Sequence, residues 1–339
     1  MKKIHTIFSN LPIDKIRINR EQAHCKLRAQ AKINLSLKIL GKRPDNYHQL
    51  HSIMQTLALH DVIELTLKPS NHAQETSISL FSDNTSLKCK TENIAYRSAK
   101  HFLEHFQSKA NLEISLVKNI PLAAGLAGGS ADGAAVLRGL ANLYNNPQSR
   151  MFFQPVNSAN QNLDQKISQD ELLEIAVKIG ADVPFCLHRG TALCEGIGEI
   201  ISPLDSFSER PVLIYNPAEA ILTADAFKLI NADPLNELKL ANQETLNYYN
   251  QIIRTGLKSM NKHFFNDFTA TILHQYPHLQ DVCHAIQQTG SQFVRFTGSG
   301  PTIFAIYDSY VERDQALQLL EKSEFPGTFT ATYTKDAWD

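Results

Sequence analysis

Residues 121–132 read Pro121-Leu122-Ala123-Ala124-Gly125-Leu126-Ala127-Gly128-Gly129-Ser130-Ala131-Asp132. An alternating stretch from Leu112 to Lys118 predicts a strand before them, and an alanine-rich run predicts a helix after them, through Tyr144. Backbone amides freed by Gly125, Gly128 and Gly129 can approach phosphate oxygens that a side chain would block. The dipole of the following helix favours an anion there. No GxxxxGK[ST] and no GxGxxG occurs in the chain, so the loop is neither a Walker A loop nor a dinucleotide fingerprint. For a glycine cluster taken alone, a tight strand-to-helix turn packed by small residues is the alternative.

Working outward, Leu27 to Leu40 and Asp61 to Leu67 alternate polar and apolar and predict strands, with a turn at Arg43-Pro44-Asp45-Asn46 between them. Asn93 to Gln107 carries Ala95, Ala99, Phe102, Leu103 and Phe106 at helical spacing. Asn145 to Gln165 is rich in Asn, Gln and Ser without periodicity and reads as an insertion. Ser168 and Glu171 form a capping box for a helix that reaches Ile179, with Gly180 as its end. A strand at Val212 to Tyr215 opens a second half, with helices near Asn266 to Gln275 and Leu279 to Gln288. Phe293 to Tyr307 then reads as strand, glycine turn, strand. Strands and helices mix without a regular βα repeat, which points to an α+β fold rather than a doubly wound sheet.

At 339 residues the chain exceeds the size at which a single core keeps growing, so two domains are expected. Lys plus Arg number 33 against 34 Asp plus Glu, a formal charge of -1, which gives no global case for nucleic acid or a membrane surface. An anionic ligand must be held locally. The basic start is broken by Ser9, Asn10, Pro12 and Asp14 before any signal-peptide core forms, and no apolar run has transmembrane length. A cytoplasmic protein, monomer or homodimer, is expected. Cys25, Cys89, Cys186, Cys194 and Cys283 are scattered with no CxxC pair, as in a protein of reduced thiols without structural zinc. Asn84-Thr85-Ser86 matches a glycosylation sequon too short to carry weight.

Two further segments extend the glycine loop into an ordered set. Ala31-Lys32-Ile33-Asn34-Leu35 lies upstream, and Thr297-Gly298-Ser299-Gly300-Pro301-Thr302 lies near the C-terminus. In this order the three resemble the motifs of the GHMP kinases. The resemblance implies a two-domain fold: a ribosomal protein S5 domain 2-like ATP-binding domain, here 23–205 with the insertion at about 145–165, and a ferredoxin-like α/β domain, 206–339. Residues 1–22 would be an N-terminal extension. It further implies ATP, with Mg2+, held by Pro121 to Ala131, while metal ligands stay unassigned.

Within that family, Gly41-Lys42-Arg43-Pro44-Asp45-Asn46-Tyr47-His48, Gly180-Ala181-Asp182-Val183-Pro184-Phe185 and Glu195-Gly196-Ile197-Gly198-Glu199 resemble one branch. Its substrate is 4-diphosphocytidyl-2-C-methyl-D-erythritol, of the non-mevalonate isoprenoid route, which it phosphorylates on the 2-hydroxyl. The resemblance makes Asp182 the base and Lys32 its electrostatic partner. An ordinary Asp, with a pKa of ~3.9, is a weak base. A loose phosphoryl-transfer transition state, however, asks mainly for positioning and late proton removal. Lys32 and Asn34, two residues apart on a strand, project from one face, and the resemblance implies Asn34 as a further substrate contact. Tyr47 and His48 are implied as a clamp on the cytidine, with Phe227 as a second stacking aromatic. Taken alone, Lys32 would read as a solvated strand residue, Phe227 as ordinary core and Asp182 as a helix-end turn residue.

Some positions depart from the family pattern. Ala127 and Ala131 stand where Gly-Gly-Gly-Ser-Ser is usual, and Phe296-Thr297 where Met-Ser is usual. Ser130 still offers phosphate a hydroxyl. Asp132 would be repelled by phosphates unless it faces Mg2+ or caps the helix. Three other functions compete: another GHMP alcohol substrate, a silent nucleotide-binding relative, and a zinc peptidase through the H-x-x-E-H run from His101 to His105.

Overall fold

The Asn19 side chain accepts the N–H groups of Glu21 and Gln22, both at 2.8 Å, an Asx turn that reverses the chain. It joins β1 (Lys15–Ile18) to β2 (Ala23–Lys42), and the two pair antiparallel. At the next reversal Asp45 Oδ1 accepts the N–H of Tyr47 at 3.1 Å and leads into β3 (His48–Lys68). The structure is a computed structural model. It describes residues 15–69, 76–87, 91–156, 166–207, 209–217, 223–230 and 260–336, with the single positions 219, 221, 247, 249 and 250. The chain divides into two units, the first drawn from 1–30, 60–120 and 128–187, the second from 31–59, 121–127 and 188–339.

The first unit continues with β4 (Ser77–Ser82), α1 (Ile94–His105), β5 (Ser108–Lys109), β6 (Asn111–Val117), α2 (Gly128–Asn145), β7 (Gln154–Pro155), α3 (Gln169–Ile179) and α4 (Val183–His188). Its sheet runs β1-β2-β3-β6-β4, with β6 antiparallel to β3 and parallel to β4. Helices α1, α2 and α3 pack on one another. Phe102 and Leu103, Leu137 and Leu140, and Ile114 and Leu116 are buried in this layer. Full burial stabilises by about 1.5–3 kcal/mol for each such side chain. The capping box at Ser168 and Glu171 is present as the sequence indicates. Gly180 ends α3 with extended backbone, φ 177°, rather than the left-handed cap expected of a helix-ending glycine. In the stretch read as an insertion, Phe152 and Phe153 are buried and β7 pairs with β5. Residues 157–165 lie outside the described residues.

In the second unit β8 (Thr191–Gly196) pairs with residues 50–55 of β3, and β9 (Ile200–Pro203) pairs with β8. Then follow β10 (Pro211–Pro217), α5 (Thr223–Leu229), α6 (Met260–His263), α7 (Thr269–Gln275), α8 (Leu279–Gln288), β11 (Phe293–Phe296), β12 (Ile303–Ile306), α9 (Tyr310–Leu320) and β13 (Gly327–Tyr333). The sheet order β11-β12-β10-β13 is antiparallel throughout. With its helices it has the βαββαβ order of a ferredoxin-like layer. Leu213, Tyr215, Phe268, Ile272, Val282 and Phe296 lie in its core. No helix among the described residues is long and apolar enough to cross a membrane.

Candidate functional site

The three sequence motifs meet in the second unit. On β2, Lys32, Asn34 and Ser36 share one face by the two-residue period of a strand. Lys32 N donates to the Leu126 carbonyl at 3.1 Å, tying the first motif to the glycine loop. Lys32 Nζ donates to Asn34 Oδ1 at 2.8 Å, and the same oxygen accepts Gly298 N–H at 2.9 Å, which brings in the third motif. Two glycines make this approach possible. A methyl group on Gly125, at φ +71°, would stand 2.5 Å from the Thr297 carbonyl oxygen, and one on Gly298, at φ +58°, would stand 3.1 Å from the Gly125 oxygen. No side chain fits between these backbones.

The loop from Pro121 to Ala127 has left-handed backbone at alternate positions: Ala123 at φ +52°, Gly125 at +71° and Ala127 at +56°. Alternating handedness turns successive N–H groups toward one concavity, a geometry suited to an anion. Helix α2 begins at Gly128, and its first N–H groups have no partner within the helix. Ala127 holds a left-handed conformation that costs a non-glycine residue about 1–2 kcal/mol. Its replacement of the family's glycine is therefore strained.

Around β3, His48 stacks on Phe227, ring centroids 4.8 Å apart and planes at 23°. Phe227 in turn meets Phe268 edge-on at 4.9 Å and packs on the core. Phe227 is thus both an aromatic partner and part of the core. Tyr47 is 59% exposed and presents an open ring. Burial, with Lys42 next, lowers the His48 pKa and favours a neutral imidazole able to donate from one nitrogen and accept at the other. Asn34 is 2% exposed, and its amide also donates to Ser52 Oγ at 2.8 Å.

Models of the GHMP kinases N terminal domain and of the GHMP kinases C terminal match residues 93–153 and 253–326. A 4-diphosphocytidyl-2-C-methyl-D-erythritol kinase of Clostridium tetani (strain Massachusetts / E88) is 39% identical, over 83% of this chain and 90% of its own length. The chain belongs to the 4-diphosphocytidyl-2-C-methyl-D-erythritol kinase family of GHMP kinases. A crystal structure of 4-(cytidine 5'-diphospho)-2C-methyl-D-erythritol kinase is similar with TM-score 0.67 and 25% identity, covering 91% of this chain and 98% of that one. Homoserine kinase from Cytophaga hutchinsonii ATCC 33406 shares the fold with TM-score 0.69 at 18% identity, covering 95% and 97%. As in the GHMP kinases generally, ATP is the phosphoryl donor.

The first unit of this GHMP kinase holds Asp182 in the short connection between α3 and α4. Its carbonyl accepts Cys186 N–H at 3.0 Å, so Asp182 is the first residue of the α4 turn. The pairing of Asp182 with Lys32 that the resemblance implies involves both units and is carried below as a proposal. Asp132 lies inside α2, past its first turn, and so does not cap that helix. It is buried, and its Oδ2 accepts a hydrogen bond from Lys118 Nζ at 2.6 Å. Lys118 also donates to Asp61 Oδ2, while Asp61 Oδ1 accepts Asn119 N–H at 2.6 Å and Ile120 N–H at 2.8 Å. Burial first, and Asp61 after it, push the Asp132 pKa up to about 8 against the pull of Lys118.

Lys118, Asp61, Ser52 and the Thr297 hydroxyl are the residues sequence reasoning missed. Lys118 directly precedes Asn119-Ile120-Pro121 and the phosphate loop, a position that could have flagged it. Ser52 carries no local signal. The Glu195 to Glu199 segment is the β8–β9 turn, closed by Gly198 N–H to the Glu195 carbonyl at 3.0 Å. On α1, His101 Nδ1 stands 3.9 Å from Glu104 Oε2, and Phe102 and Leu103 between the histidines are buried. Among the described residues no three His, Cys, Asp or Glu side chains gather to hold a metal, so the peptidase reading has no ligand set.

Proposed function

We propose that Asp182 accepts the proton of the substrate hydroxyl, and that Lys32 stabilises the charge that develops there, in the reaction of this family. That reaction moves the γ-phosphoryl group of ATP to the 2-hydroxyl of 4-diphosphocytidyl-2-C-methyl-D-erythritol, giving the 2-phosphate and ADP. The observation that carries this reading is the meeting of all three motifs at Lys32 and Asn34, in a chain 39% identical to a kinase of that name. ATP supplies the phosphoryl group. Pro121 to Ala131 would hold its phosphates, by loop amides and the α2 N-terminus. Mg2+ would accompany the nucleotide. Asp132, the acidic residue nearest the loop in sequence, is tied to Lys118 and does not fit as its ligand, so no step is drawn through the metal. Tyr47 and His48 would clamp the cytosine, with Phe227 backing the His48 ring. Residues 23–205 and 206–339 would be the domain division, and the cytoplasm the location.

ADP release across a panel of the cytidylyl substrate, mevalonate, homoserine and galactose tests the assignment. Turnover is expected with the first alone, and turnover with only another member would move the chain to a different branch. In Asp182→Asn, kcat should fall by about 10²–10⁴ while ATP affinity stays within about threefold. Unchanged kcat would remove the base. In Tyr47→Ala, KM for the cytidylyl substrate should rise about tenfold, the worth of a modest aromatic stack, with KM for ATP unmoved. The reverse pattern would contradict the clamp.

A further inference from the structure

Ser52 Oγ donates its one proton to the Ser36 carbonyl at 2.7 Å. Toward Asn34 it can therefore only accept, and it does so from Asn34 Nδ2 at 2.8 Å. The opposite end of the amide faces donors. Lys32 Nζ stands 2.8 Å and Gly298 N 2.9 Å from Asn34 Oδ1, and neither an ammonium nor a backbone N–H can accept. Thr297 Oγ1 works from both sides, accepting Asn34 N–H at 3.1 Å and donating to Asn34 Oδ1 at 3.3 Å. The donor and acceptor pattern thus admits one orientation of the amide. The side chains of the network are buried, Ser36, Ser52 and Thr297 at 0% exposure, so water does not readily substitute for a lost partner.

We infer that Ser52 and Thr297 are positioning residues for phosphoryl transfer: by locking the Asn34 amide they set where the Lys32 ammonium stands. Asn34 acts in this chain through Lys32, with its amide committed on both ends to protein partners. The inference rests on the reading of Lys32 as an electrostatic partner in the transition state. It also accounts for Thr297 standing where the family usually has Ser. The position requires a hydroxyl and tolerates the added methyl.

The test compares Thr297→Val, Thr297→Ser, Ser52→Ala and Lys32→Met, with kcat, both KM values and the thermal midpoint measured for each. Thr297→Val keeps the shape and removes the hydroxyl. Its kcat should fall about tenfold to hundredfold with both KM values within about threefold, the pattern of an interaction that matters only in the transition state. Thr297→Ser should restore kcat to within about threefold of the parent. Ser52→Ala should lower kcat about tenfold, and it carries the test if Thr297→Val does not fold. A crippled Lys32→Met beside unchanged Thr297→Val and Ser52→Ala would overturn this inference and leave the reading of Lys32 standing. Equal losses in Thr297→Val and Thr297→Ser would also overturn it, since packing rather than the hydroxyl would then be at work. A Lys32→Met enzyme with parental turnover would overturn the reading of Lys32 and the inference with it.

Discussion

Lys32 and Lys118 both have buried side chains beside sequence motifs, and they serve different ends. Lys32 Nζ is placed by an amide oxygen, that of Asn34, at 2.8 Å. Lys118 Nζ is placed by two carboxylates, Asp132 at 2.6 Å and Asp61. The Asn34 oxygen is one neutral contact among the partners of Lys32, whereas the two carboxylates both orient Lys118 and offset its charge. The first lysine is the one proposed to act on a developing anion. The second suits a fixed strut, which here ties β3, the end of β6 and the second turn of α2 within one unit.

Replacing each lysine by Met separates the two roles most sharply. Lys118→Met leaves Asp61 and Asp132 buried without their cation, a loss of about 3–5 kcal/mol of stability, read as a large drop in the urea midpoint. Lys32→Met should instead cost about 10²–10³ in kcat with a small change in midpoint. If Lys118→Met left stability intact and Lys32→Met unfolded the protein, the contrast would be reversed.

What could be read in the sequence follows the range of the interactions concerned. The capping box at Ser168 and Glu171 spans one helical turn and was legible, as were strand, glycine loop and helix around Gly125. Three motifs in order fixed the family, and the structure brings those motifs together around Asn34. Most of β3 was not legible. Only Asp61 to Leu67 was read as strand, although β3 begins at His48. The reason is burial on both faces: His51, Ser52, Gln55 and Thr56 are polar yet inside, so the alternation that marks a half-exposed strand is lost. The role of Asp132 was hidden for another reason. Its repulsion from phosphate is visible, but Lys118 reaches it across the loop and Asp61, distant in sequence, joins Lys118 only through the sheet that carries it.

The smallest expected effect asks which of the two carboxylates around Lys118 keeps a proton. One lysine cannot neutralise two ionised aspartates. Asp61 is the better solvated by protein, with two backbone N–H groups on Oδ1 and Lys118 on Oδ2. Asp132 Oδ1 is buried with no hydrogen-bond partner among the described residues, so the proton belongs on Asp132. Its pKa is correspondingly raised from 3.8 to about 8. Between those values the folded chain keeps a proton that the unfolded chain has released, so stability falls as pH rises through the window. Asp132→Asn has no such proton to lose and nearly the same shape as the protonated acid. Its thermal midpoint relative to the parent should therefore rise from pH ~5 to pH ~8 and level off above. Asp61→Asn should instead be destabilised across the whole range, because an amide cannot replace both the charge facing Lys118 and the acceptor facing the two N–H groups. A flat difference for Asp132→Asn across that window would show that Asp132 is already ionised beside Lys118 and overturn this assignment.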